Sequence, residues 1–300
     1  MLSIFSKTYF LQHVEFFHKE HFESNYERQL PPPGLQPFVD FFWQTRFDAL
    51  WPLYPEGFSD TLFPNTGYTY LFNLGTPFVI QVGEHRFPMK IDGLLPRHKA
   101  LECFHSKGNC LFGIKFKVSP VMFEKKVNFS EYKDFLHPLS YLANKQLVAD
   151  IKTAGSFKDR VNLVVNNFEA IVNRYTGTLK PVTIVTEILA HIEETKDFST
   201  PIEVYAEKYV VTVRTLQRYF EATTGIATKK ALQILRIRSA TEHIANHPQS
   251  FHYSKYGYYD HSHFYKHLKQ FLAQPALKHI QPHLHLLKQI HKNAQDEVMK

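Results

Sequence analysis

The chain has 300 residues, 44% of them hydrophobic, with 35 Lys or Arg against 28 Asp or Glu and a net charge of +7. That length suits two domains of ordinary size, each with its own core. No run approaches the roughly 18 uninterrupted apolar residues of a membrane span. The N-terminal MLSIFSKTYFLQHVEFFHKEH lacks the basic start, apolar block and cleavage site of a secretory signal.

In chain order, the first thirty residues are polar-aromatic and end in QLPPPG, a rigid non-helical punctuation. From Leu35 to about Val127 the chain breaks into short runs: FVDFFWQTRF, TLF, YTYLFNLG, TPFVIQVGEH, RFPMKIDG, ALECF and LFGIKFKV. Turn residues such as YPEG, PNTG and HSKGN separate them. Runs of this length, rich in Phe, Tyr, Val and Ile, predict the strands of a sandwich or barrel. Cys103 and Cys110 flank HSKGN, where a hairpin would let them face each other. As the sole cysteines they fit free thiols in a reducing cytosol and are too few for a four-thiolate zinc centre.

After Ser119 the rhythm changes. SPVMFEKKV and the segment to Asp150 read as helix with loops. SFKDRVNLVVNNFEAIVNRY predicts a helix capped by Ser156, with Val161, Val164, Val165, Phe168, Ile171 and Val172 on one stripe. That stripe suits packing on the chain's own β-domain or a dimer contact. TGTLKP, Thr176 to Pro181, marks a boundary. The expected organisation is a β-rich domain over 1–150, a helical connector over 151–180, an all-α domain over 181–280 and a tail over 281–300. The fold class is thus α+β, with two helix-turn-helix units in the last domain.

PVTIVTEILAHIEET predicts an amphipathic helix. In STPIE, Thr200 reads as an N-cap, Pro201 as the first helical residue and Glu203 as the third, a capping box. In PIEVYAEKYVVTVRTLQRYFEATTG a short helix ends near Tyr209 and a turn passes through Val210 and Val211. Thr212 then caps a second helix, and Ala206 permits close crossing. Leu216 and Phe220 face inward; Arg214, Thr215, Gln217 and Arg218 face outward near a helix N-terminus. Arg and Gln are the side chains that pair bidentately with guanine and adenine edges, and a helix N-terminus favours phosphate.

A long helix, TKKALQILRIRSATEHIANH, follows. GYYDHSHFYKHLKQF repeats the arrangement, with Gly257 at the turn, Asp260 at the cap, and Phe264, Leu268 and Phe271 inside. His261, Ser262, Tyr265 and Lys266 point outward. Residues 199–270 hold ten Lys or Arg against five Asp or Glu, which suits an acidic partner such as DNA. His263 and His267, one turn apart, lack the further ligands a metal requires and read as flank residues near the nucleic-acid backbone. His85, His98 and His105 are too irregularly spaced for a His-x-His metal site. No cofactor is expected, and no nucleophile elbow, P-loop or dinucleotide fingerprint marks an enzyme.

Residues 181–280 resemble the DNA-binding domain of the AraC/XylS transcription regulators, through TVRTLQRYFEATTG, LRIRSA and GYYDHSHFYKHLK. Gly257, Tyr258, Asp260, Ser262, Phe264 and Lys266 fit the family pattern near its second recognition helix. PPPGLQPFVDFFWQ, LYPEGFSDTLFPNTGYTYLFNLG and FGIKFKVSP resemble a β-rich domain found ahead of it in many bacterial regulators. The resemblance implies a cytoplasmic, sequence-specific regulator that binds double-stranded DNA, with an N-terminal domain that senses a small molecule or mediates dimerisation. It places Arg214, Thr215, Gln217 and Arg218 in one major groove and His261, Ser262, Tyr265 and Lys266 in the next. The sequence departs from the family at Thr228, where proline is usual, and at His252 and Tyr253, which replace an Ile-Ala pair. These departures motivate the alternative of a non-enzymatic ligand- or partner-binding protein with a degenerate second unit.

Overall fold

The computed structural model describes residues 11–118, 136–272 and 280–282. The N-terminal half forms two packed sheets. Their strands are β1 (Gln12–Val14), β2 (Tyr26–Gln29), β3 (Val39–Thr45), β4 (Phe58–Leu62), β5 (Tyr68–Asn73), β6 (Phe78–Val82), β7 (His85–Met89), β8 (Gly93–Pro96), β9 (Leu101–His105), β10 (Leu111–Phe116) and β11 (His137–Pro138). One sheet runs β1-β4-β9-β6-β7 and the other β11-β8-β5-β10-β3-β2. Pairing among the described strands is antiparallel except between β1 and β4, which run parallel with His13 opposite Asp60.

The second sheet is covered on both faces, which is why β5 and β10 read as continuous apolar runs. Leu71 and Leu111 face the first sheet, in a core with Phe78, Ile80 and Leu101. Tyr70, Phe72, Phe112, Ile114 and Phe116 face the helices. Gly113 sits against the Trp43 ring, where a Cβ would lie 2.2 Å from the indole.

Three expectations change. Cys103 and Cys110 do not face each other across a hairpin: β9 and β10 belong to different sheets, so the chain crosses the sandwich between them and both thiols are free. The first thirty residues contain β1, helix α1 (Lys19–Ser24) and β2. These elements are too short to carry a periodic pattern, and tertiary pairing supports them. Thr200 does not cap the helix that follows it. Its hydroxyl donates to the Asp197 carboxylate, which also takes the Ser199 and Thr200 backbone N–H groups, and Pro201 stands at the cap position.

Helices α2 (Lys145–Thr153) and α3 (Phe157–Arg174) follow, the latter capped by Ser156, whose hydroxyl accepts from the Asp159 N–H at 3.1 Å. The α3 stripe packs on the β-domain: Val161, Val164, Phe168 and Ile171 are buried in its core, with Val165 and Val172 at the margin. That is the first of the two expected uses. Of the expected helix with loops after Ser119, residues 119–135 lie outside the described residues, as do residues 283–300 of the expected tail.

Helix α4 (Lys180–Thr195) joins the two halves: Val182 belongs to the β-side core, while Ile184, Val185, Ile188, Leu189 and Ile192 belong to the helical core. The rest is helical: α5 (Ile202–Lys208), α6 (Val213–Thr224), α7 (Thr228–Asn246) and α8 (His261–Phe271). One apolar core holds all of them, and Val14 and Phe63 of the N-terminal half enter it. The two halves therefore share buried surface.

Candidate nucleic-acid interface

The first unit is α5, a turn and α6. Helix α5 ends at Lys208 with Tyr209 at its cap, and the turn closes through the Val211 N–H to the Ala206 carbonyl at 3.0 Å. Val210 takes a positive φ of 52° with its side chain in solvent. β-Branched residues rarely adopt that region, because the Cβ approaches the following carbonyl. The Thr212 hydroxyl accepts from the Thr215 N–H at 3.1 Å and caps α6, and Gly225 at φ 72° ends it. Leu216 and Phe220 are fully buried, and Ala206 is buried at the crossing. Arg214, Gln217 and Arg218 are exposed and Thr215 is half-buried. The four residues thus lie along the outer, N-terminal part of α6.

Helix α7 is the rod that carries both units. Arg236 donates to the Phe198 carbonyl at 3.1 Å, just before the first unit, and its guanidinium lies 5.3 Å from the Tyr258 ring of the second. One side chain thereby ties the base of each unit to the rod. Arg238, two residues on and so on another face, turns to the N-terminal half. It donates to Glu15 at 2.6 Å, and its guanidinium lies 4.7 Å from the Phe16 ring.

The second unit differs in its first element. Two 3-10 turns, Pro248–Ser250 and Tyr253–Tyr256, stand where a helix-turn-helix has its first helix. Pro248 removes a donor, and a Tyr at 253 is too large for the close crossing that Ala206 makes in the first unit. His243 of α7 braces these turns, with Nδ1 2.8 Å from the Tyr256 hydroxyl and Nε2 2.9 Å from Ser250 Oγ. Burial, then Lys255 and His247 nearby, hold its pKa below the usual imidazole value. Gly257 takes φ 68°, and the Asp260 carboxylate caps α8 by accepting from the His263 N–H at 2.7 Å. Phe264, Leu268 and Phe271 are buried; Ser262 and Lys266 are exposed, and His261 and Tyr265 half-buried with stacked rings. His263 and His267 stack edge-on at 4.7 Å, and burial followed by His263 lowers the His267 pKa. Among the described residues no third metal-ligating side chain joins that pair.

The sequence reading missed two features. Tyr259, before the α8 cap, is 91% exposed, a large aromatic surface beside the outward set. Between the halves lies a cavity of about 280 Å³, with Leu71 and Leu95 in its wall and Arg97, Lys115, Arg238, Glu15, Asp40 and Glu193 at its polar side. Lys115 is buried and donates to the Thr66 carbonyl at 2.7 Å; burial, then the Arg97 charge, pull its pKa down to about 7. Burial raises the Glu15 carboxyl, but Arg238 and Arg97 outweigh it and hold the group ionised. The signal was present in LRIRSA and in LFGIKFKV, where a Lys interrupts an otherwise apolar strand, but nothing in the sequence says that the two segments meet.

No family model matches the chain, and no curated protein matches it. Among solved structures it is similar to ToxT from Vibrio cholerae O395, at 11% identity and a TM-score of 0.41, over 85% of this chain and 95% of that one. Unsaturated-fatty-acid-bound ToxT from Vibrio cholerae strain SCE256 aligns at 12% identity and 0.38, over 71% of this chain and 87% of that one. The AraC-like transcriptional activator CuxR aligns at 9% identity and 0.27, over 74% and 88%.

Proposed function

We propose that the chain is a sequence-specific, double-stranded-DNA-binding transcription regulator of AraC/XylS type, not an enzyme, acting in the cytoplasm. The observation that carries this reading is the pairing of capped helices α6 and α8 on one rod, each with an apolar side in a shared core and a polar set outside. Arg214, Thr215, Gln217 and Arg218 read base edges in one major-groove segment. His261, Ser262, Tyr265 and Lys266 occupy the next, and the Tyr259 ring lies along the backbone there. In domain terms, residues 1–150 sense or assemble, 151–180 connect and 181–280 read DNA.

The cavity between the halves is the place for an effector. Four cationic side chains, Arg28, Arg97, Lys115 and Arg238, outnumber the three carboxylates beside an apolar wall, which suits a small molecule with an anionic head and an apolar body. Arg238 lines the cavity and belongs to the rod, so occupancy there bears on the DNA-reading half. Homodimerisation is the second role we assign to the N-terminal half.

The 3-10 turns of the second unit favour a second reading, in which only the first unit reads bases and α8 contacts phosphates. Selection of bound genomic fragments at fixed salt, followed by binding measurements with Arg214→Ala/Arg218→Ala and with Ser262→Ala/Lys266→Ala, tests both. Base reading by both units predicts loss of selectivity in both variants. Base reading by α6 alone predicts that the second variant weakens binding equally on all sequences and lowers the salt dependence. A wild-type chain with no preference among fragments contradicts both.

A further inference from the structure

A cluster inside the β-sandwich takes no part in the DNA-binding proposal. Asp60 of β4 is fully buried, and three imidazoles surround its carboxylate. His13 Nδ1 lies 3.6 Å and His21 Nε2 2.9 Å from Oδ1, and His105 Nε2 lies 3.4 Å from Oδ2. The Tyr26 hydroxyl donates to Oδ2 at 2.5 Å. His21 and His105 are more than nine-tenths buried. Close as they are, the three ring nitrogens and Asp60 Oδ1 make no well-angled hydrogen bond, and the donor atoms of His13, His21 and Asp60 all lie within 4.8 Å of one another.

The tautomer of His105 sharpens the point. Asn109 donates its amide N–H to the Thr76 carbonyl at 3.2 Å, which turns its oxygen toward His105 Nδ1 at 2.6 Å. That oxygen accepts, so Nδ1 carries the proton and neutral His105 presents a bare Nε2 to a carboxylate. Extra protons solve this poorly, because His13 and His21 stack at 3.6 Å with planes 7° apart, and two imidazolium rings so placed repel. A divalent cation solves it at once. Bonds of about 2.0–2.1 Å in a tetrahedron place ligand atoms roughly 3.4 Å apart, and the His21 and His13 nitrogens lie 2.9 and 3.6 Å from Asp60 Oδ1, while His105 stands outside this group on Oδ2. Asn109 holds the His105 ring, and His105 in turn faces the carboxylate oxygen that the ion would leave free, so both act on the site by positioning Asp60.

We infer that His13, His21 and Asp60 form a binding site for a first-row divalent transition metal of the Zn2+ class, with His105 and Tyr26 holding the second carboxylate oxygen. Two imidazole nitrogens and one carboxylate oxygen, with the fourth position left to water, make a donor set of intermediate softness that suits Zn2+ and disfavours Ca2+ and Mg2+. The parallel rings of His13 and His21 cannot both point at one ion, so binding rotates His13, the most accessible of the three, out of its stack. The site sits on the strand that reaches the other half: His13 is opposite Asp60 in the β1–β4 register, and Glu15, two residues on, holds Arg238 of α7. A bound metal pins β1 to β4 and thereby fixes the contact between the halves.

The test is calorimetric titration of Zn2+ into the metal-stripped full-length chain, with circular dichroism confirming that each sample is folded, and with Co2+ as a spectroscopic reporter. The site predicts one ion per chain and a Co2+ visible spectrum of four-coordinate type. His21→Ala and Asp60→Asn abolish both, Asn109→Ala weakens binding by about 10–100-fold, and His263→Ala/His267→Ala changes neither. A folded wild-type chain that takes up no Zn2+, or uptake that survives His21→Ala and Asp60→Asn, overturns the inference. So does 15N NMR showing His105 doubly protonated at pH 8, which would make the cluster a buried ion pair.

Discussion

Lys115 shows how one buried side chain converts position into pH dependence. Its value of about 7 in the fold lies below the 10.5 of an exposed lysine. Between those limits the unfolded chain binds more protons than the folded one, so stability rises with pH across that window. Urea denaturation at pH 7 and pH 10 measures the increment, and Lys115→Met removes most of it. Gln217 carries a different expectation. It is exposed and far from the core, so Gln217→Ala leaves the unfolding midpoint within about 0.5 kcal/mol of wild type. Discrimination at one base pair falls by about 1–3 kcal/mol, read from competition binding with point-substituted sites.

At the scale of elements, the two units carried by α7 are built by different means. The α5–α6 turn passes through Val210 in a left-handed conformation, with its side chain 86% exposed. Val210→Gly relieves the strain and sacrifices no packing, so stability rises by about 1 kcal/mol in thermal or urea unfolding, net of the added freedom of the unfolded chain. The second unit depends on His243 instead of a first helix. Its folded pKa is depressed, so the unfolded chain binds more protons below the ordinary value of 6.5. Stability is lost as pH falls through that value. Hydrogen exchange is expected to show residues 248–257 opening before α6 between pH 7 and pH 5, and a similar loss at pH 7 in His243→Ala.

Across the whole molecule, what could be read in advance was what local patterns encode. Ser156, Thr212, Gly257 and Asp260 act at the termini expected of them, and Leu216, Phe220, Phe264 and Leu268 are buried as their spacing requires. What could not be read depends on contacts distant in sequence. Thr200 loses its cap because Asp197 competes for its hydroxyl. Cys103 and Cys110 part because the chain changes sheets. His13, His21, Asp60 and His105 converge from three strands and a helix with no common spacing, and Arg238 meets Glu15 across 223 positions. The central claim concerns the assembled molecule, that α7 carries two short helices to DNA. Its most direct test is selection of genomic fragments by the wild-type chain beside Arg214→Ala/Arg218→Ala at one salt concentration. The account predicts a shared sequence motif for the wild type and its loss in the folded variant; equal recovery of all fragments by both would contradict it.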